Sequence, residues 1–235
     1  PADGGRIRAV RFVYAGDVIS DIPGLGATDA GTGNSACMDP DADGLVAPPN
    51  GFLCRIVYPD HVIGGVDVGN NQKIDNSTQL FYNEHGQLAE IRDPGGERVR
   101  FGYTDGRLTT IIDPLVNDWI SVAAETRTAF VDLVSTTIDY QDNKVWKVTL
   151  PAPDGATASL RPQTTYIYTQ GKTAVEVAGL DLSDPNAEDH ARQVEYDAGW
   201  RATSVTTASG LTSNQTWSME DQLLSSTDAA GRMST

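Results

Sequence analysis

Tyr82-Asn83-Glu84-His85-Gly86-Gln87-Leu88, with Asp93 a few positions on, is one copy of a phrase that recurs along this 235-residue chain. The next copy is Tyr103-Thr104-Asp105-Gly106-Arg107-Leu108, followed by Asp113. Each copy has an aromatic residue, a polar turn that ends in Gly, a polar or basic residue and an apolar residue. The two tyrosines are 21 residues apart. A fixed period of roughly 20 residues is typical of a repeat architecture.

The phrase returns in less regular form in the second half of the chain. Tyr196 begins one copy, Trp217 follows 21 residues later, and a further turn contains Asp228. Copies with loop insertions begin at Tyr140 and Tyr168. The residues that define the repeat are Tyr82, Gly86, Tyr103, Gly106, Arg107, Tyr196, Gly199, Trp217, Gly231 and Arg232.

Each copy predicts a β-hairpin. Short strand candidates such as Arg98–Tyr103 and Leu108–Ile112 are joined by Asp105-Gly106, a dipeptide that suits tight hairpins because Gly tolerates positive φ. One hairpin cannot bury a hydrophobic face alone, so neighbouring hairpins must stack and share a sheet. The sequence therefore predicts an all-β fold of tandem hairpins, in which the repeated tyrosines are packing residues.

The chain divides into two predicted regions. Residues 1–78 form an N-terminal β segment with an Asp/Gly-rich loop, and residues 79–235 form the repeat array, continuous with it. Near-helical spacing of apolar residues predicts a short helix or turn inserted at 117–126, with Asp118 able to cap its start and a strand following through Tyr140. The abrupt end of the sequence within a repeat phrase indicates a piece of a longer protein.

The charge of the chain limits its partners. It has 32 acidic and 17 basic residues, a net charge of −15. Such a chain repels nucleic acid phosphates and anionic membrane surfaces, so neither is expected as a partner. The sequence has no run of 18 apolar residues, so we expect no membrane insertion. Solvated acidic loops and cation binding both remain as explanations of the acidic excess.

Cys37 and Cys54 bracket a loop rich in Asp, Gly and Pro. A metal pair is disfavoured, because neither cysteine has a second Cys or a His at ligand spacing. We predict a disulfide, which would stabilise the fold by about 3 kcal/mol in the chain-entropy model. A disulfide in turn favours an oxidising compartment.

Asp39, Asp41 and Asp43, with Gly44, match the opening of a calcium-binding loop. Alternate carboxylates there converge on one hard cation, and Gly permits the sharp turn. Asn50 occupies the position where such a loop carries a bidentate Glu. Two readings stay open: a weak Ca²⁺ site, or an acidic turn that binds no ion. Ca²⁺ is the only cofactor that the sequence indicates.

No catalytic set emerges from the sequence. His61, His85 and His190 are far apart, and no Ser/His/Asp or His/Cys signature accompanies them. Acidic pairs at glycosidase-like spacing arise by chance in a chain with 32 acids. We therefore expect a protein that is not an enzyme.

The phrase resembles the YD or RHS repeat, and the resemblance covers roughly residues 79–235. Its clearest copies are Tyr103–Leu108, Tyr196–Arg201 and Asp228–Arg232. The family includes bacterial Rhs and wall-associated proteins, components of insecticidal toxin complexes, and teneurins. The resemblance implies hairpins that wind into a spiralling sheet, which closes into a hollow shell in full-length members. No autoprotease residue can be carried over, because the Asp/Pro-rich motif that precedes the toxin in this family is not found here.

The resemblance also implies a function. The first hypothesis is a non-enzymatic structural segment of a secreted or cell-surface protein, part of a shell that encloses or presents a C-terminal toxin. Its partners would be further repeats and the toxin of the same polypeptide. The alternative is a binding module whose hairpins or Asp-rich loop engage carbohydrate or a cell-surface receptor.

Overall fold

The computed structural model describes residues 9–22, 25–42, 44–59, 66–67, 73–74, 77–121, 131–177 and 191–235. The chain forms two compact units, Pro1–Val131 and Asp132–Thr235. No helix in the described ranges is long and apolar enough to cross a membrane.

The first unit is built on an antiparallel sheet. Its strands are β1 (Arg11–Tyr14), β2 (Leu53–Val57), β5 (Ser77–Tyr82), β6 (Leu88–Arg92), β7 (Arg98–Thr104) and β8 (Arg107–Ile112), hydrogen-bonded in that order. Two further short strands, β3 (Val66–Asp67) and β4 (Lys73–Ile74), pair with each other. Because β5 pairs directly with β2, the N-terminal segment and the first repeat share one sheet.

The long loop between β1 and β2 packs on these two strands and forms a hydrophobic core with them. It includes three short 3-10 turns, Ile19–Asp21, Ala27–Asp29 and Thr32–Asn34. The core consists of Val13, Ile19, Leu25, Ala36, Cys37, Cys54 and Val57. Sequence composition alone indicated an irregular loop, whereas its scattered apolar residues pack against β1 and β2.

A disulfide bond and a buried arginine hold this loop in place. Cys37 and Cys54 form a disulfide across a sequence separation of 17. Arg55 on β2 is fully buried; its Nε donates to Ser77 Oγ at 2.8 Å and its Nη1 donates to the carbonyl oxygen of Asp29 at 3.0 Å. A buried guanidinium requires such partners because desolvation of an unpaired charge is costly.

A helix interrupts the hairpins where the sequence predicted one, although its start differs. Helix α1 is Pro114–Ser121, and residues 122–126 of the predicted insertion lie outside the described residues. The N-cap is Asp113, whose Oδ1 accepts a hydrogen bond from the Val116 N–H at 2.9 Å; the prediction of Asp118 as cap is wrong. Asp113 is better placed because Pro114 is favoured at the first helical position.

The second unit is a run of antiparallel strands, each paired with the next. After the short helix α2 (Val131–Val134), the strands are β9 (Thr136–Gln141), β10 (Lys144–Thr149), β11 (Gln163–Thr169), β12 (Lys172–Val177), β13 (Arg192–Tyr196), β14 (Ala202–Thr206), β15 (Thr212–Trp217), β16 (Leu223–Thr227) and β17 (Met233–Ser234). The predicted fold class, all-β with tandem hairpins and one short helical insertion, is confirmed.

Candidate functional site

The aromatic residues of the repeat make one recurring hydrogen bond. In four copies, the polar tip of the ring donates to a backbone carbonyl at the start of the preceding strand in the sheet. The bonds run from Tyr82 Oη to Leu53 O (2.6 Å), Tyr103 Oη to Leu88 O (2.8 Å), Tyr168 Oη to Val145 O (2.8 Å) and Trp217 Nε1 to Ala202 O (2.7 Å). The aromatic side chain thus joins its own strand to the neighbouring hairpin.

The strand register explains why the same bond recurs. In the backbone ladder between β6 and β7, the pair nearest to Tyr103 is Glu90 opposite Arg100. Extending that register places Tyr103 opposite Gln87, and its hydroxyl reaches the carbonyl of the following residue. The other three copies have the same offset between ring and carbonyl. The ring therefore contacts a carbonyl that lies beyond the backbone ladder.

The copy at Tyr196 uses the backbone instead. The ladder between β12 and β13 continues to Lys172 opposite Glu195. The Tyr196 N–H then donates to the carbonyl oxygen of Gly171 at 2.7 Å. In this copy the backbone reaches the neighbouring hairpin, because the two strands remain paired up to the turn.

Burial raises the pKa of the tyrosines that make this hydrogen bond. It raises the pKa of Tyr82 and of Tyr103, and it is also the main cause of the raised pKa of Tyr168, to which Tyr166 and Tyr196 contribute. A phenol with the ordinary pKa of about 10 is already protonated at neutral pH, and the raised pKa extends that protonation to more alkaline pH. The hydroxyls are therefore hydrogen-bond donors, as the contact with a carbonyl requires.

The residue after the aromatic fixes the turn. The Oδ1 atom of Asn83 accepts the N–H groups of His85 (3.0 Å) and Gln87 (2.9 Å), and Asp197 Oδ1 accepts those of Gly199 (2.8 Å) and Arg201 (3.1 Å). Such bonds from Asn or Asp to backbone two residues on favour turns. Asp93, Thr207, Ser218 and Asp228 begin similar turns.

The fourth residue of these turns adopts a left-handed conformation. Gly86 has φ +73° and Gly231 has φ +79°, but Trp200 has φ +63° at the corresponding position of its turn. The Asp105-Gly106 turn is of a different kind, with φ of 51° and 77° at two successive residues. Those values are typical of the tight two-residue hairpin that the dipeptide predicted.

The last residue of the turn bonds to the next hairpin. Gln87 Nε2 donates to the carbonyl oxygen of Gly106 at 2.9 Å. Arg201 Nη1 donates to Asp221 Oδ1 at 2.9 Å and to the carbonyl oxygen of Ser218, both in the turn between β15 and β16. The side chains of Asp197 and Arg201 also pair within their own turn, at 2.6 Å. Each such copy of the motif therefore contacts its neighbours on both sides.

A cluster of arginines and carboxylates, which sequence reasoning missed, lies on β6 and β7. Glu90 is 1% exposed, and its carboxylate accepts from Arg92 Nη2 at 2.7 Å and from Arg100 Nε at 2.9 Å. Arg98 lies 3.8 Å from the same carboxylate. The signal was the placement of Glu90 and Arg92 at alternate positions of one strand, and of Arg98 and Arg100 on the next.

The arginine cluster also contacts the Asp-rich loop. Arg92 also pairs with Asp41, with Nη2–Oδ1 at 2.7 Å, and this hydrogen bond is the main reason that the pKa of Asp41 is lowered. Asp39 Oδ2 accepts from the N–H and the hydroxyl of Thr32, each at 2.8 Å. Asp43 lies outside the described residues. The two described carboxylates therefore bind protein groups, and the Ca²⁺ site stays a prediction.

The acidic residues and histidines of the described ranges do not converge on a metal site. Within them, no group of three His, Cys, Asp or Glu residues is placed to hold a metal ion. A cavity of about 500 Å³ adjoins Glu90 and Arg100, but the carboxylate of Glu90 already accepts hydrogen bonds from two arginines. His85 is exposed in its turn, and His61 and His190 lie outside the described residues.

A comparison with protein families identifies the repeat. Residues 82–115 match the family model of the RHS repeat. The chain carries an RHS repeat. The match begins at Tyr82, ends at the start of α1 and contains the Tyr103–Leu88 hydrogen bond, so the predicted resemblance is confirmed on this segment. No curated protein matches the chain.

The RHS repeat is thus defined here by contacts between hairpins. The bond from Tyr103 and the bond from Gln87 both lie within the matched residues. The bonds from Tyr168, Trp217 and Arg201 reproduce them outside the match, in the second unit. The same physical pattern therefore extends to copies whose sequences have diverged.

Proposed function

We propose that this segment is a non-enzymatic structural part of an exported RHS-repeat protein, forming part of a shell wall that encloses or presents a C-terminal toxin or effector. The observation that carries the proposal is the exposure of strands β13–β17. None of the residues from 192 to 235 is buried, and Leu223, Leu224 and Met233 on these strands are exposed. A stable sheet normally buries at least one face. An enclosed polypeptide would cover one face of such a wall.

The contacts of the repeat support a structural role. The polar side chains of the motif form hydrogen bonds to adjacent hairpins. These groups are the tyrosine hydroxyls and the side chains of Gln87 and Arg201. Repeat proteins gain stability from such nearest-neighbour interfaces. A wall assembled from hairpins requires this kind of contact at every step.

The Cys37–Cys54 disulfide supports export, because disulfides persist in oxidising compartments. Mass spectrometry of the protein from fractionated native cells, after alkylation of free thiols, tests this part. We expect the disulfide-bonded peptide outside the cytoplasm. Recovery of the protein in the cytoplasm with both thiols alkylated would overturn it.

Cryo-electron microscopy of the protein encoded by the complete gene tests the shell itself. We expect the strands of residues 192–234 to form a wall with separate density for a C-terminal polypeptide against one face. A map in which both faces of this sheet contact solvent would overturn the proposal. A covalent enzyme–substrate adduct on the described residues would overturn its non-enzymatic part.

A further inference from the structure

A cavity of about 500 Å³ lies on the first unit, beside the arginine cluster of β6 and β7. Ligand sites commonly have volumes of about 300–1,000 Å³, with mainly apolar walls and a few polar groups that orient the ligand. The lining of this cavity includes the apolar residues Ala42, Leu45 and Ile112 and the polar residues Arg100 and Thr110. The cavity therefore has the size and the composition of a small-molecule site.

Strands β7 and β8 form the floor of the cavity. Their register pairs Arg100 with Ile112 and Gly102 with Thr110, and the alternation of side chains along a strand places these four residues on one face. A Cβ atom on Gly102 would lie 3.2 Å from Thr110 Cβ and 3.5 Å from its hydroxyl oxygen. Gly within a strand often marks the close approach of a ligand. The missing side chain leaves the floor open between a guanidinium and a hydroxyl.

The loop that precedes β2 forms a wall of the cavity and is held on both sides. Asp41 accepts two hydrogen bonds from Arg92, at 3.1 Å and 2.7 Å. The Val46 N–H donates to the carbonyl oxygen of Tyr82 at 2.8 Å. Leu45, which lines the cavity, lies between these two contacts in the sequence. A wall that is fixed before a ligand binds lowers the entropic cost of binding.

Arg100 presents the outer edge of its guanidinium to the cavity. Its Nε donates to Glu90 Oε2 at 2.9 Å, and Glu90 is 1% exposed. Within the described ranges this is the hydrogen bond that Arg100 makes, and its side chain is 42% exposed. An arginine has five N–H donors in a fixed fork, so its Nη groups can donate to a further acceptor. The buried carboxylate thus orients a guanidinium whose Nη groups face a ligand.

The other two arginines of the cluster differ from Arg100. Arg92 and Arg98 both contact Asp41, at 2.7 Å and 3.7 Å, as well as Glu90. Neither of them lines the cavity. Three arginines against the two carboxylates of Glu90 and Asp41 leave the cluster with one excess positive charge. Arg100 is the member of the cluster that can pair with an anion in the cavity.

These groups select among ligand classes. A carboxylate can accept two parallel hydrogen bonds from one guanidinium, and its single negative charge matches the excess charge of the cluster. A phosphate dianion would bring a second, uncompensated charge close to the carboxylate of Glu90. The net charge of −15 has limited effect here, because a Debye length of about 8 Å at physiological ionic strength screens distant acidic residues. The apolar walls require an apolar ligand body.

We propose that this cavity binds a monocarboxylate with an apolar body. The carboxylate pairs with Arg100 and accepts a hydrogen bond from the Thr110 hydroxyl, and the apolar body contacts Leu45 and Ile112. A free organic acid and the C-terminus of a short peptide both present this chemistry. The site does not depend on the shell proposal, because residues of the first unit alone form it.

Methyl NMR of the isoleucines tests this site on the 235-residue chain. Ile112 lines the cavity, whereas Ile111 points to the opposite face of the sheet and is an internal control. Octanoate, phenylbutyrate and N-acetyl-leucine are titrated to millimolar concentration, each beside its uncharged amide. We expect at least one carboxylate to shift the Ile112 signal saturably, while its amide binds at least about tenfold more weakly. Binding of N-acetyl-leucine alone would identify a peptide C-terminus as the source, and binding of octanoate or phenylbutyrate a free acid.

Three variants complete the test. Arg100→Gln should weaken binding about tenfold, as the loss of a hydrogen bond to a charged group does. Arg98→Gln is the matched control, because Arg98 lies 3.8 Å from the same Glu90 carboxylate but does not line the cavity. Thr110→Val keeps the shape of the side chain and should weaken binding about threefold.

Three outcomes would overturn the proposal. They are the absence of a saturable Ile112 shift with all three carboxylates, equal affinity for a carboxylate and its amide, and an equal loss of affinity in Arg100→Gln and Arg98→Gln. Melting temperatures show whether the variants fold. If Arg100→Gln does not fold, the comparison of carboxylate and amide on the wild-type chain decides.

Discussion

The hydroxyl of Tyr103 donates a hydrogen bond of 2.8 Å to the backbone carbonyl of Leu88, at the start of the neighbouring strand. The two residues belong to successive copies of the repeat phrase. Tyr82, Tyr168 and Trp217 make the same bond in their own copies. Tyr and Trp carry a donor at the edge of a large apolar ring, which Phe lacks. The repeat therefore uses an aromatic donor to join hairpins beyond the reach of the backbone ladder.

Trp200→Gly is expected to stabilise the protein. Trp200 has φ +63° and is 82% exposed, so little packing is lost with its side chain. The left-handed conformation costs an L-residue roughly 1–2 kcal/mol. Because Gly also increases the entropy of the unfolded chain, we expect a gain of about 1 kcal/mol in the free energy of unfolding. Urea denaturation measures it.

Gly210→Ala is the matched reverse substitution. Gly210 has φ +80° in an equivalent turn, and an added Cβ meets no atom within 4 Å. The loss of about 1 kcal/mol that we expect is therefore conformational rather than steric. A Trp200→Gly variant that is less stable than wild type would show that the indole contributes contacts, contrary to this interpretation.

Arg201→Met is expected to lower the melting temperature more than Arg232→Met. Both arginines pair with the first aspartate of their own turn. Arg201 in addition bonds to Asp221 and to the Ser218 carbonyl in the turn between β15 and β16, and its side chain is 23% exposed against 84% for Arg232. Differential scanning fluorimetry compares the two. Equal losses would mean that the contact between turns contributes nothing measurable.

Replacing Cys37 and Cys54 together by Ala should lower the free energy of unfolding by about 3 kcal/mol, because the bond closes a loop in the unfolded chain. The sequence separation is 17 residues and both cysteines are buried. Guanidinium denaturation with and without dithiothreitol provides the control. Reductant should bring wild type to the stability of the double variant and leave the variant unchanged. A wild-type free energy of unfolding that dithiothreitol does not change would contradict this account.

Acid should destabilise the fold between pH about 4 and about 2. Hydrogen bonds lower the pKa of Asp41, Asp197 and Asp228 from 3.8, and bonds from Thr157 and Ala156 lower that of Asp154 to about 2. A folded-state pKa below the unfolded value gives stability that is present above the unfolded pKa. That stability is lost as the pH falls through the folded pKa. Melting temperatures from pH 7 to pH 2 measure the effect.

Asp197→Asn isolates one part of this acid dependence. Asn83 shows that an asparagine can accept the same two backbone N–H groups in this turn, so the turn should persist. The variant loses the charge that pairs with Arg201. We expect a shallower fall in melting temperature below pH 4 than in wild type. Identical pH profiles for the two proteins would contradict the assignment.

Local chemistry made much of the fold predictable. Asp105-Gly106 indicates a tight turn because few residues adopt positive φ, and the 21-residue spacing of Tyr82 and Tyr103 indicates stacked hairpins. Two cysteines without other ligands indicate a disulfide. Each of these signals depends on residues close together in sequence, or on a period that does not require knowledge of the register.

The contacts between hairpins were less predictable because they depend on register. Whether Tyr103 reaches Leu88 depends on the last backbone pair between β6 and β7, which sequence pattern does not give. The pairing of Arg92 with Asp41 likewise joins residues 51 positions apart. The same carboxylate that resembled a calcium ligand in sequence therefore bonds to an arginine that only the fold brings near.

The free energy of unfolding of Tyr103→Phe, measured beside Tyr14→Phe, tests the central claim most directly. The substitution at Tyr103 removes one hydroxyl and keeps the ring, and we expect a loss of about 1 kcal/mol, the usual net contribution of a hydrogen bond. Tyr14 is 45% exposed on β1 and serves as the control, for which we expect no change. A Tyr103→Phe variant as stable as wild type, or an equal loss in both variants, would contradict the account.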